Sequence, residues 1–293
     1  MAPAGPSSRD TALAVRRVLA GLLVANLAVV GAKLVIGLGS HSLAVLGDAL
    51  HSSVDSLYNV LGLVVVRVAA QAPDEDHPYG HGKFETVGAL AIVMFLSITC
   101  FELVRSAIQK LTGGAQPIAL TDLALAVLIA TLGVNIVVAW YENRRGQGLS
   151  SELLIADAAH TRTDVFITIG VLVGVLFARQ GWYWADPLVA IIVALLIVRV
   201  AYQILARTIP VLVDARAIAT RAIQQTAQAV GGVKSAYGIR SRGRGARMRY
   251  AEVTIAVDRH ANVEDAHAIA DEVEERLRHD LQLDEVTVHV EPC

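Results

Sequence analysis

The sequence predicts a helical membrane protein: six transmembrane helices followed by a soluble αββαβ domain. Three observations predict it. The 293 residues are 54% hydrophobic and only 18% charged, with a mean hydropathy of +0.52, too apolar for an ordinary soluble domain of this size. Six apolar windows recur along the first two thirds of the chain, each long enough to cross a bilayer as a helix. Charge is concentrated in the N-terminal tail, the 67–85 loop, the 142–152 loop and everything after 207. The chain therefore divides into an N-terminal tail (1–14), a six-helix membrane domain (15–207) and a soluble C-terminal domain (208–293).

The spans fall at about 15–38, 41–67, 84–111, 119–141, 152–178 and 185–206. Arg9, Arg16 and Arg17 precede the first, Arg144 and Arg145 lie between the fourth and fifth, and Arg207 and Arg216 follow the sixth. The positive-inside bias then puts both termini in the cytoplasm and the turns near 39–41, 112–118 and 179–184 outside. No small-residue cleavage pattern marks a signal peptide. Cys100 and Cys293 supply neither a disulfide framework nor a paired-cysteine metal motif. The tail reads as a helix near 215–229, strands near 236–241 and 248–257, an amphipathic helix near 263–279 and a strand near 285–290. That order suggests a small ferredoxin-like sheet with helices on one face.

The second span carries "GDALHSSVDS" and the fifth "ADAAHTRTDV", so Asp48, His51, Asp55 and Asp157, His160, Asp164 repeat one pattern, D-x-x-H-x-x-x-D. Steps of three and four residues put each triplet on one helix face. Turned toward each other, the two faces offer His51, Asp55, His160 and Asp164, two imidazoles and two carboxylates suited to a tetrahedral divalent cation such as zinc. With neutral imidazoles this set carries a charge of −2, which one zinc ion or two ring protons balance, so exchange of metal for protons keeps the site neutral. Two other readings stand beside it: polar contacts that pack helices, and a proton relay without metal, which has no need of matched steps. The two spans cross in opposite directions. Asp48 then lies about one turn outward of His51 and Asp157 about one turn cytoplasmic of His160, as stepping-stones for protons or ions, or as helix-packing hydrogen bonds. Arg162, between the ligands in sequence, either pairs with a carboxylate or snorkels. No His-Glu-x-x-His occurs, which argues against an intramembrane zinc protease, and the arginines of "IRSRGRGARMRY" are too few and isolated for nucleic acid.

His51 with Asp55, His160 with Asp164, the loop "HPYGHGKFE" at 77–85, the six spans and the αββαβ tail together resemble the cation diffusion facilitator family of divalent-metal transporters over nearly the whole chain. The resemblance implies a homodimer of Y-shaped protomers in the inner membrane, each exporting metal from the cytoplasm in exchange for protons by alternating access at a site between spans two and five. Histidine on both helices resembles the zinc-preferring members. Iron, cobalt, cadmium or manganese as main substrate, or a membrane metal sensor that does not transport, are the alternatives. Asp74, His77 and His81 match an accessory metal site, with Asp76 nearby, although Pro78 and Gly80 between the histidines also argue for a plain turn. Lys83 and Asp214 match an opposite-charge interlock between membrane and cytoplasmic domains. His267, His289 and Glu291 match cytoplasmic metal positions, with Glu252 a further carboxylate; Thr254 stands where some members carry histidine, which argues against a full binuclear site. The resemblance thus implies a metal-responsive dimerisation domain at 208–293, with zinc as both substrate and regulatory ligand.

Overall fold

The computed structural model describes residues 8–39, 43–113, 122–180, 182, 184–244 and 247–293. The side chains of Asp48, His51 and Asp55 lie outside the described residues, as does the first half of the N-terminal tail, residues 1–7. The chain forms two compact units, Met1–Thr208 and Ile209–Cys293.

The first unit holds α1 (Ser8–Gly39), α2 (Leu43–Ala69), α3 (Lys83–Gly113), α4 (Asp122–Leu149), α5 (Glu152–Arg179) and α6 (Ala185–Leu212), the last running a few residues into the second unit. Among the described residues five of these are long and apolar enough to cross a membrane, and α2 adds the apolar stretch Ser56–Ala69. α1 lies along α2 and α4 along α5, with α3 against both α2 and α5. Leu19, Leu96, Leu153, Leu154 and Ile197 fill the centre. Val35, Phe101, Leu195 and Tyr202 point outward and are exposed in the isolated chain. Helices apolar on both faces need an apolar solvent, so the unit is a multi-pass membrane domain.

α4 departs from expectation. It does not stop at 141 but runs on through "YENRRGQGL" to Leu149. Polarity ended the apolar window without ending the helix, since Glu, Arg and Gln are good helix formers and no proline intervenes. The helix closes where Ser150 takes a left-handed φ of 49° and the Ser151 N–H bonds the Gly146 carbonyl at 3.0 Å. Gly146 is required there: a Cβ would stand 3.0 Å from the backbone nitrogen of Ile155, so only glycine lets the start of α5 pack so closely.

The second unit contains α7 (Thr220–Gln228), β1 (Ser235–Arg244), β2 (Arg247–Val257), α8 (Val263–Leu281) and β3 (Glu285–Pro292). The sheet order is β1-β2-β3, antiparallel then parallel. The parallel step requires a crossover, and α8 provides it. Asn262 caps α8 by accepting the Asp265 N–H at 2.7 Å. Ile223, Val253, Ile255, Val273 and Leu277 join the helices to one sheet face, so the ferredoxin-like αββαβ order expected from the tail is present.

Candidate metal site

Asp157, His160, Thr161 and Asp164 share one face of α5, and that face is turned into the bundle. The three ionisable members are buried, and His160 Nε2 stands 3.8 Å from Asp164 Oδ2. Neighbouring helices complete the surroundings. Asn59 of α2 donates from Nδ2 to Asp157 Oδ2 at 3.2 Å and accepts from Asn26 of α1 at 2.8 Å. The Tyr58 ring meets the His160 ring edge-on with centroids 4.7 Å apart. The later residue of α2 touches the earlier residue of α5, the sense expected of antiparallel helices. From α4, Glu142 accepts the Thr161 hydroxyl at 2.9 Å and is only 1% exposed. Lys33 of α1, also buried, donates to Ser52 of α2 at 2.8 Å. A polar seam thus crosses four helices inside the membrane domain, where an unsatisfied polar group would cost several kcal/mol.

This seam includes residues the sequence reading passed over. Asn26, Lys33 and Asn59 were detectable as polar positions inside apolar windows. Glu142 was hidden because it follows the end of its window and looked like a loop residue. Arg162 lies two residues past His160, about 200° around the helix, and is exposed, whereas Asp157, His160 and Asp164 are buried. His51, Asp55 and Asp48 lie outside the described residues, so the seam is seen from its α5 side.

The 74–81 loop gathers Asp74, His77 and His81, whose candidate ligand atoms all lie within 4.8 Å of one another. His77 Nδ1 is 3.1 Å from Asp74 Oδ1, and His81 Nε2 is 3.3 Å from Asp74 Oδ2. A tetrahedral ion with bonds of ~2.0–2.1 Å separates its ligands by about 3.4 Å, so the spacing fits. His81 is buried and its Nδ1 has no hydrogen-bond partner among the described residues. The turn is real as well: the Gly80 N–H bonds the His77 carbonyl at 2.8 Å with a φ of 79° that favours glycine. That turn is what returns His81 to Asp74, so turn and ligand cluster are one feature. Asp76 is not in the cluster. Desolvation pushes the Asp74 carboxyl up, but backbone and ring hydrogen bonds from His77 and the charges of His81 and His77 outweigh it and hold it below the usual carboxylate range.

The cytoplasmic candidates do not converge. His289 Nε2 stands 3.6 Å from Glu291 Oε1 on β3, whereas His267 on α8 faces Asp271 at 3.7 Å, and Glu252 on β2 faces Arg240 at 3.9 Å. Among the described residues no three of them form a metal-sized cluster. Tyr237 donates its hydroxyl to Glu291; that bond, with desolvation and the negative charges of Glu291 and Cys293, pushes the phenol up. Thr254 is the cross-strand partner of both Tyr237 and His289, so it occupies the centre of this row. Asp214, left-handed at φ 51°, faces Arg242 at 3.9 Å within its own unit, and Lys83 opens α3.

Residues 20–213 match the family model of the cation efflux transmembrane domain, and residues 215–293 that of the cation efflux protein cytoplasmic domain. The chain is similar to the manganese efflux system protein MneS of Bacillus subtilis, 30% identical over 92% of this chain and 93% of that one. It is similar also to metal tolerance protein C1 of Arabidopsis thaliana, 32% identical over 92% of this chain and 61% of that one. The cation-efflux pump FieF of Shewanella oneidensis is 26% identical over 89% and 88% respectively.

Proposed function

The chain belongs to the cation diffusion facilitator family, whose members are divalent-cation efflux transporters and not enzymes, and from that premise we propose that it exports zinc across the inner membrane in exchange for protons. The observation that carries this reading is the buried His160–Asp164 pair on α5, whose pattern the sequence repeats as His51 and Asp55 on α2. The Asn59–Asp157 bond supports the pairing of the two helices: one turn back along α2 and one turn forward along α5 lead from it to Asp55 and to His160 with Thr161. His51, Asp55, His160 and Asp164 are the proposed ligands. Two imidazoles among four donors favour zinc over magnesium or calcium.

Histidine changes charge in the physiological range, with an unperturbed pKa of ~6.5. Either one zinc or two imidazolium protons therefore neutralise the two carboxylates, and the state with neither is the one the bilayer penalises. Asp157 and Asp48 then pass protons or ions toward and away from the imidazoles. In this reading Asp74, His77 and His81 form an accessory zinc site, Lys83 and Asp214 an interlock between the domains, and residues 208–293 a dimerisation domain that responds to metal through His289 and Glu291, with His267 and Glu252 as outlying donors. Both termini lie in the cytoplasm.

Manganese is the rival substrate, on the strength of the similarity to a manganese efflux protein. The test is metal flux into sealed vesicles holding the purified protein and a pH-sensitive dye, with a pH gradient of either sign. Zinc movement that follows the gradient and displaces protons supports exchange; movement indifferent to it leaves facilitated diffusion. Preferential flux of manganese over zinc would reassign the substrate.

A further inference from the structure

α5 carries a second polar feature on the face turned away from the metal triplet. Arg162 is exposed, whereas Asp157, His160 and Asp164 are buried. It lines a cleft of about 410 Å³ walled by α4, α5 and α6, with Ile136, Val165 and Ile204 as apolar lining and Arg207 as a second cation. Neither guanidinium has a hydrogen-bond or ion-pair partner among the described residues. Glu152, the acidic residue of the lining, already accepts a hydrogen bond from Thr86 at 2.9 Å.

The level of the cleft follows from the helix register. The Thr161–Glu142 bond sets α4 beside α5, so Trp140, also in the lining, stands level with Arg162. Beyond Trp140 the exposed face of α4 becomes polar with Asn143, Arg144 and Arg145, and the Arg144 guanidinium lies 5.4 Å from the centroid of the Trp140 ring. An exposed tryptophan just before a run of charges marks where bilayer meets water. Two arginines lacking partners in one cleft, Arg162 at that boundary, beside an apolar wall, suit a ligand with phosphate at one end and hydrocarbon at the other. Guanidinium forks match phosphate oxygens, and clustered cations recruit anionic over zwitterionic lipid.

We propose that this cleft binds an anionic phospholipid, its headgroup phosphate held by Arg162 and Arg207 and an acyl chain laid against Ile136 and Val165. The lipid ties α6 to the side of α5 opposite the metal face. The proposal does not depend on which metal is carried or on proton coupling.

The test is native mass spectrometry of the full-length protein in detergent, offered phosphatidylglycerol or phosphatidylcholine, together with thermal unfolding in the same lipids. Wild type should retain phosphatidylglycerol in preference, and unfold at higher temperature with it. Arg162→Gln/Arg207→Gln should lose about tenfold in phosphatidylglycerol retention, the scale of one lost charge-assisted fork, with phosphatidylcholine adducts unchanged. Should the double variant fail to fold, Arg162→Lys, which keeps the charge and loses the fork, should show a smaller loss in the same direction. Equal retention of the two lipids by wild type, or undiminished phosphatidylglycerol on a folded variant, overturns the proposal. So does stabilisation by inorganic phosphate alone equal to that by phosphatidylglycerol, which would make this a free-anion site. A shift in monomer–dimer ratio without a change in lipid retention would make the face a contact between copies, and overturns it too.

Discussion

His160 Nε2 stands 3.8 Å from Asp164 Oδ2 in α5, with side chains 7% and 12% exposed, and His289 Nε2 stands 3.6 Å from Glu291 Oε1 in β3, with side chains 69% and 48% exposed. The chemistry and the distance are nearly the same; the medium is not. In water such a pair gains about 1 kcal/mol at most and salt screens it. In the bundle an uncompensated carboxylate is strongly unfavourable, so the pair must hold a cation or a proton at every stage. Burial turns an optional contact into an obligatory one, which is the reason for proposing the first pair as a transport site and the second as a sensing site.

The sharpest way to break this comparison is to delete a carboxylate from each. Asp164→Ala should lower zinc flux into vesicles by about 100-fold or more, the scale of breaking a buried charge pair. Glu291→Ala should change it by less than about twofold. Equal losses would mean that burial is not what distinguishes them.

A smaller effect is expected at Glu142, which sharpens the comparison by asking how far the buried seam extends. Glu142→Gln keeps an acceptor for Thr161 but removes a charge, and should reduce flux by about tenfold and flatten its dependence on pH. Flux and pH profile identical to wild type would end the seam at Asp157.

The loop site lies between the two extremes, with one buried and one half-buried histidine on the same carboxylate. His81→Ala should weaken zinc binding there by about tenfold and His77→Ala by less, read by calorimetry on protein whose membrane site is disabled. Because the folded Asp74 carboxyl sits below its ordinary value, its contribution is present at pH above ~4 and is lost only as pH falls through the lower folded value. Unfolding of the metal-free protein that loses this contribution at the pH of an ordinary aspartate would contradict that.

The smallest effect belongs to Tyr237. Its hydroxyl occupies Glu291, so Tyr237→Phe should free that carboxylate and raise zinc affinity of the cytoplasmic domain by about twofold, measured by calorimetry. The raised phenol pKa keeps this contact intact below the ordinary tyrosine value of ~10 and loses it as pH rises through the folded value. No gain in affinity would mean that Glu291 is not a ligand.

Much of this was legible in the residues. Apolar windows and their punctuation mark the membrane helices because hydrocarbon leaves the backbone no other way to satisfy itself. The αββαβ order followed from alternation and turn residues, and the spacing of His160 and Asp164 placed them on one face because helical periodicity is local. The end of α4 was not legible, since the apolar window reports the membrane boundary while the helix continues past it. Nor was the meeting of His81 with Asp74 separable from the turn that Gly80 makes, because spacing alone serves both.

The sequence by itself determined the helices, the two-part organisation and which titratable groups share a helix face, since each is decided by neighbours within a turn or two. Only the tertiary structure decided which faces point inward. It buried Glu142 against Thr161, joined Asn26, Asn59 and Asp157 across three helices, turned Arg162 away from the buried face of His160 and Asp164, and left His267 apart from His289. Those outcomes depend on how helices and strands distant in sequence pack, and a local pattern carries no record of its partner: periodicity says which residues stand together, and packing alone says what they stand against.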